Sequence, residues 1–224
     1  DFVPSRGLGD VYKRQYLKGL RALLDKYGIL LVCDEVMAGW GRTGKLFAFE
    51  HADILPDIVT MAKGLTSSYI PLGCMGLRDE IAEHFRKEVF WGGLTYNSHP
   101  LCLGTALAAI DVLVGEGMVE NAAKLAPVQR AEMDRLKEKH VSVREGRCIG
   151  LFGMIDVQKN SAGERIAPYN GSHPAMAAFS KYLRDNGLFT FVRWGSFMCN
   201  PPLCITEEQL LEGYAIIDKA LEIT

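Results

Sequence analysis

Two residue types at two strand-to-loop junctions could do chemistry in this chain. Lys63 follows the run Pro56-Asp57-Ile58-Val59-Thr60-Met61-Ala62, and Asp34 closes the apolar run Leu30-Leu31-Val32-Cys33. An amine set among small residues, here Gly64, Thr66, Ser67 and Ser68, can hold a carbonyl as a Schiff base. A carboxylate can keep a ring nitrogen protonated, so that the ring accepts electrons from a carbanion. Together these are the demands of pyridoxal phosphate. Taken singly, neither residue is diagnostic: a carboxylate at a strand end serves equally well as a cap, and most lysines are solvated surface charges. Glu35, next to Asp34, points to the other face of the strand and is not its catalytic partner.

Other segments offer weaker signals. The loop Gly39-Trp40-Gly41-Arg42-Thr43-Gly44 lacks the lysine and spacing of a phosphate-binding P-loop and is expected to be structural. The loop Trp91 to Pro100 precedes a helix, and it offers the Thr95 hydroxyl, backbone amides and a positive dipole end to a phosphate. Capping by Asn97 or Ser98 is the competing explanation. Arg193 follows a strand and could clamp a carboxylate or sulfonate in bidentate fashion; a surface salt bridge explains it as well. His99 is expected to pack within its loop. Neither a metal-ligand spacing nor a Gly-x-Ser-x-Gly elbow occurs, so metal and serine-hydrolase chemistry are not indicated.

The elements that must position these groups follow from periodicity. Leu17, Leu20, Leu23 and Leu24 recur at helical spacing up to Gly28, and Ile29 to Cys33 reads as a strand covered on both faces. In an α-then-β unit of a parallel sheet, ligands bind beyond the carboxyl ends of the strands. The pattern then predicts a helix-like Leu46 to His51, strands at Ile58 to Met61 and Leu72 to Leu77, and a helix at Asp79 to Lys87. It continues with a buried, all-apolar helix at Leu101 to Val114 and an amphipathic one at Val119 to His140. Beyond it, strands at Val141–Val143, Gly150–Val157, Leu188–Val192 and Ser196–Cys199, with helices at Pro174–Asn186 and Glu207–Glu222, describe a small α+β domain.

Residues 1–15 show no periodicity and are expected to be a non-native or disordered leader, leaving residues 16–140 and 141–224 as two domains. The 224 residues are 48% apolar, and 25 basic residues nearly balance 27 acidic ones, with no basic stripe to propose nucleic acid or an anionic membrane. Small molecules are the expected partners. Six cysteines without a CxxC pair are expected to be reduced and buried, as in a cytoplasmic protein. No apolar run approaches the ~20 residues of a membrane helix.

In order along the chain stand Asp34-Glu35-Val36-x-x-Gly39-x-Gly41-Arg42-Thr43-Gly44, Pro56-Asp57-Ile58-x-x-x-Ala62-Lys63-Gly64, Pro71-Leu72-Gly73, Thr95-Tyr96-x-x-His99-Pro100 and Pro201-Pro202-Leu203-x-Ile205-Thr206. This series resembles the class III (ω-amino acid:pyruvate type) pyridoxal phosphate aminotransferases from about Tyr16 to Thr224. The resemblance implies an α/β fold of the aspartate aminotransferase type (fold-type I): part of the large-domain sheet, a small C-terminal α+β domain, and a cofactor at a homodimer interface. It makes Lys63 the covalent anchor of the cofactor and Asp34 the partner of its pyridine nitrogen. Val36 would pack on the ring, Thr95 would reach the phosphate of the neighbouring subunit, and Arg193 would bind the substrate carboxylate. The spacing from Arg193 to Pro201 is shorter than in many members.

The implied reaction moves an amino group from an ω-amino acid or amine, taurine and β-alanine among them, to a keto acid such as pyruvate. An aminomutase of the same fold and a catalytically silent fragment or interaction subunit stay open. Members are roughly twice this length, so the chain reads as a piece whose sheet edges are exposed.

Overall fold

The structure, a computed structural model, describes residues 8–223, with side chains from residue 14. Leu17, Leu20 and Leu24 form the inward stripe of α1 (Leu8–Tyr27), while Leu23 stands off it and is half-exposed. Helix α1 starts inside the segment set aside as a leader. Once a stripe has nucleated a helix, each further residue adds a hydrogen bond at little cost, so periodicity alone does not mark its first turn. Residues 1–7 of that segment lie outside the described residues.

Gly28 ends α1, and β1 (Val32–Asp34) follows, shorter and later than the apolar run predicts. It pairs in parallel with β2 (Ile58–Met61), setting Val32 against Ile58 and Asp34 against Thr60. β3 (Cys74–Leu77) then runs antiparallel to β2, so the sheet is mixed and ordered β1-β2-β3. The outer strands leave Val32 at 54% and Met75 at 48% exposure, so β1 is not covered on both faces by the described residues.

One buried carboxylate fixes the parallel pair. Asp57, 7% exposed, precedes β2 and accepts the Leu31 amide on Oδ2 at 2.7 Å. Its own amide donates back to the Leu31 carbonyl at 2.9 Å. Arg21 from α1 reaches the same oxygen at 2.6 Å, and Arg78, just after β3, lies 3.3 Å from the other. The Leu31 amide outweighs burial and, with both guanidiniums, holds the Asp57 carboxyl below the usual carboxylate range.

After β3 come α2 (Asp79–Lys87) and α3 (Pro100–Gly115). Composition predicts a buried α3, but only Ala106 and Leu113 are buried, and Leu101, Leu107 and Val114 are exposed. An all-apolar helix shows no preferred face, and the described residues cover one side of it.

Compact units divide at Gly117 rather than near residue 140. Helix α4 (Met118–Lys139) and Arg42–Gly44 belong to the second unit. The helical pattern marked α4 correctly but could not say which sheet its apolar stripe covers. The second unit continues with β4 (Val143–Ile149), β5 (Phe152–Val157), α5 (Pro174–Asp185), β6 (Val192–Arg193), β7 (Ser196–Cys199) and α6 (Glu207–Leu221), in a sheet ordered β4-β5-β7-β6. All neighbours are antiparallel, and strict alternation gives one buried face with Ile155, Val157, Phe197 and Cys199. Buried Met133, Leu136, Phe179, Leu183, Leu210 and Tyr214 from the helices complete this core.

The end of α4 is tied to α6 through Asp218, which accepts from Arg135 (2.7 Å), Lys139 (2.7 Å) and His140 (2.5 Å). Burial alone would raise the Asp218 carboxyl, but these donors outweigh it and hold it well below the usual range. The loop read as structural proves so. Arg42 donates to the carbonyls of Leu151 and Pro201, and burial lowers its pKa. Gly150, at φ 58, admits this finger, since a Cβ there would lie 2.3 Å from the Thr43 carbonyl carbon.

None of the six cysteines forms a disulfide; Cys199 is buried, and desolvation pushes it up to about 12, whereas Cys74 and Cys204 are exposed. No single helix among the described residues is long and apolar enough to cross a membrane.

Asp57→Asn is expected to lower unfolding stability by about 3 kcal/mol, because two arginines lose their shared charge. The depressed carboxyls of Asp57 and Asp218 contribute stability above their ordinary value of 3.8, and it is lost as pH falls below that value through the folded-state values. Chemical denaturation of parent and variant between pH 7 and 3 checks both statements: the gap between them should narrow in acid. Gly150→Ala should cost about 2 kcal/mol or more, read as a lowered Tm.

Candidate active site

Parallel pairing places the carboxyl ends of β1 and β2 on one edge of the sheet. Asp34 is the last residue of β1, opposite Thr60, and Lys63 stands three residues beyond Thr60 as the chain enters a 3₁₀ turn at Lys63–Thr66. The two sequence-derived groups therefore share the edge at which an open α/β sheet binds ligands.

Strand alternation separates the neighbouring acids. Glu35 is 3% exposed, and its carboxylate accepts the amides of Ala48 and Phe49, each at 3.0 Å, anchoring the 3₁₀ helix Ala48–Ala52. Asp34 is exposed; its Oδ1 accepts the Val36 amide at 3.0 Å, and the carboxylate has no other partner among the described residues. Val36 thus orients the acid through its backbone and lies half-buried beside it.

Lys63 is exposed, and its Nζ makes no hydrogen bond or ion pair among the described residues. The described residues do not enclose this amine. Its backbone has φ 42, and Ser67 and Ser68 follow at 48 and 63, left-handed values that only strong local constraints maintain outside glycine. One constraint is Gly64: a Cβ there would come 2.8 Å from Trp40 Cβ, so the turn closes against the indole. Another is buried Thr66, whose hydroxyl donates to the Ile70 carbonyl at 2.7 Å. Lys63, Thr66, Ser68, Ile70, Pro71 and Gly73 line a cavity of 660 Å³, with small residues on most of its wall.

Thr95 lies in an exposed turn closed by the Asn97 amide on the Leu94 carbonyl. This turn leads into α3, which packs on the Lys63–Thr66 turn, so one helix ties the two loops to each other. The cap of α3 is neither Asn97 nor Ser98 but His99, whose Nδ1 accepts the Leu101 amide at 3.3 Å. Ser98 has φ 56 and cannot take the extended backbone that a cap requires. Arg193 stands apart from these residues along the chain, exposed at the end of β6 in the second unit.

Asp57, which registers the two strands from their amino ends, carries no local sequence signal beyond its place after Pro56. Its partners Arg21 and Arg78 are identifiable only once strand pairing is known. The arrangement offers an unpaired amine, a carboxylate with an open oxygen, a space between small residues, and a hydroxyl-bearing loop ahead of a helix.

A family model described as Aminotransferase class-III matches residues 3–221. Acetylornithine aminotransferase of Archaeoglobus fulgidus is 37% identical over 94% of this chain and 48% of its own length. Putrescine–pyruvate aminotransferase of Pseudomonas aeruginosa is 34% identical over 99% of this chain and 48% of its own. Among solved structures, taurine:2-oxoglutarate aminotransferase of Bifidobacterium kashiwanohense, in complex with PLP and glutamate, superposes with a TM-score of 0.88 and 40% identity, covering 92% of this chain and 47% of that one. The chain spans about half the length of the curated relatives it matches.

Glu35→Gln should lower stability by about 2 kcal/mol, since one of its two amide donors would then face an NH₂ group. Asp34→Asn keeps the Oδ1 acceptor for Val36 and should change stability by less than about 0.5 kcal/mol. Thermal unfolding of the two variants side by side checks the division of labour between these adjacent acids.

Proposed function

The chain belongs to the class III aminotransferases, and on that premise we propose that the protein transfers an amino group from an ω-amino acid or amine to a keto acid. Taurine and β-alanine are the first donors to try and pyruvate the first acceptor, a choice supported by the taurine- and putrescine-using relatives. The observation that carries this reading is that the unpaired amine of Lys63 and the open carboxylate of Asp34 follow the carboxyl ends of the paired strands β1 and β2.

The residues present fit pyridoxal phosphate. Lys63 would hold it covalently, Asp34 would face its ring nitrogen, Val36 would pack on the ring, and small residues leave room for it. When bound, this cofactor supplies an electron sink for the carbanion formed at the amine-bearing carbon. Asp34 keeps the ring nitrogen protonated, and its own orientation is set by the Val36 amide. Lys63 Nζ would also move the proton at the carbon that bears the donor's amino group. Thr95, on its exposed turn, is assigned to the phosphate held by a second copy in a homodimer. Arg193 is assigned to the acid group of the substrate, which a guanidinium binds through two parallel hydrogen bonds.

Borohydride reduction of the full-length protein mixed with pyridoxal phosphate, followed by peptide mass spectrometry, is expected to label Lys63 alone. Scattered labelling would overturn the assignment. Lys63→Ala should lower kcat on the order of 10³-fold or more, and Asp34→Asn on the order of 10²-fold, at near-parental stability. Turnover that needs no separate keto acid would instead identify an aminomutase.

A further inference from the structure

The hairpin that carries Arg193 is built around a strained residue. Arg193 pairs directly with Ser196, so β6 and β7 are joined by only Trp194 and Gly195. Trp194 has φ 55, in the left-handed region where such a turn favours Asn or Gly and where a bulky aromatic is an outlier. The turn is clamped from outside, because Gly195 accepts the Val157 amide at 2.6 Å. Strain of this kind persists where the surroundings over-determine it, and it points to what the side chain does.

The indole contacts two groups. The guanidinium carbon of Arg193 is 4.5 Å from its centroid, a cation–π contact, and the Tyr169 ring is 4.4 Å from it. Arg193 has no carboxylate partner among the described residues, so the indole is the contact that restrains its charge. A guanidinium stacked by its face keeps its N–H edge available for in-plane hydrogen bonds. Beside the indole is a cleft of 340 Å³ also lined by Tyr169, Arg144, Glu145, Arg147 and Arg165. Arg147 is paired with Asp156 at 2.7 Å, whereas Arg144 and Arg165 have no ion pair among the described residues; Arg193 is not on the wall of this cleft, so its edge lies outside it.

We propose that Trp194 is a positioning residue that holds the Arg193 guanidinium by its face and presents its edge to the carboxylate or sulfonate of an acidic substrate. This rests on the assignment of Arg193 to the acid group. Trp194 thereby sets the preference for acidic over plain amine donors. The strained turn is retained because glycine or asparagine would relieve it only by removing the platform.

The test uses the full-length, cofactor-loaded protein with Trp194→Gly, Trp194→Phe and Arg193→Ala. Glycine suits φ 55, so Trp194→Gly relieves the backbone while deleting the platform. It should raise the ratio of KM for β-alanine to KM for butylamine about two- to fivefold, with the change in KM rather than kcat. Calorimetric binding of propanoate, an unreactive acid, should weaken by the same factor, and Trp194→Phe should restore most of both. Arg193→Ala should raise the same ratio on the order of 30-fold. A Trp194→Gly protein that keeps the parental ratio and propanoate affinity, while Arg193→Ala loses them, overturns the role of Trp194 and leaves Arg193 in place. An Arg193→Ala protein with the parental ratio overturns both.

Discussion

The geometry of the candidate site depends on one buried carboxylate that takes no part in its chemistry. Two parallel strands cannot be registered by a hairpin, and β1 and β2 are separated by 23 residues between Asp34 and Ile58. Asp57 supplies the register. It exchanges main-chain and side-chain hydrogen bonds with Leu31 and gathers Arg21 from α1 and Arg78 from beyond β3. A carboxylate this buried would be costly alone, and the amide and two guanidiniums offset that cost. The clasp sits at the amino ends of the strands, about 10 Å from their carboxyl ends at three residues of 3.3 Å each. Rigidity is placed at one end of the pair and the candidate groups Asp34 and Lys63 at the other.

At the carboxyl edge, the same alternation that builds a sheet gives two adjacent acids opposite surroundings. Glu35 turns inward and is consumed by two backbone amides; Asp34 turns outward and keeps an open oxygen. Beyond β2 the chain takes left-handed values at Lys63, Ser67 and Ser68, which three residues without glycine's freedom hold only because Trp40 closes on Gly64 and Thr66 binds Ile70. Backbone strain here keeps the amine out of the ladder and beside the cavity.

Much of this was legible in the sequence, for a local reason. Strand β2, helix α2 and strand β7 begin and end where their patterns say, because each pattern is bounded by Pro, Gly or charged residues that act within a few positions. What failed depended on partners. The antiparallel course of β3, the exposed flank of α3 and the allegiance of α4 to the second unit are decided by which surface an apolar face meets, and composition leaves that open. The His99 cap was missed because the neighbouring Asn97 and Ser98 are better cap formers, until the left-handed backbone of Ser98 excludes it. The clasp at Asp57 joins residues 36 positions apart, and no local spacing encodes it. That Asp34 and Lys63 fall at the carboxyl ends of two neighbouring strands was visible because it rests only on residue type and on where each strand ends.

On the proposed reading, the three functional side chains are held to three degrees, and the differences follow from what each must do. Asp34 must keep a fixed orientation toward a ring, and a short side chain with one oxygen bound to the Val36 amide gives it that. Arg193 must meet a substrate group that arrives and leaves, and a long side chain would lose on the order of 2 kcal/mol of rotamer freedom each time it ordered itself. Stacking on Trp194 removes part of that loss in advance without occupying the edge that binds. Lys63 must let go of one partner and reach another atom, so a fixed ion pair would hinder it. Its unpaired amine on a strained turn is consistent with that need, since the constraint lies in the backbone and the four-carbon stem stays free. Backbone hydrogen bond, aromatic face and strained turn thus place the carboxylate, the guanidinium and the amine without spending the atoms each needs for its own role.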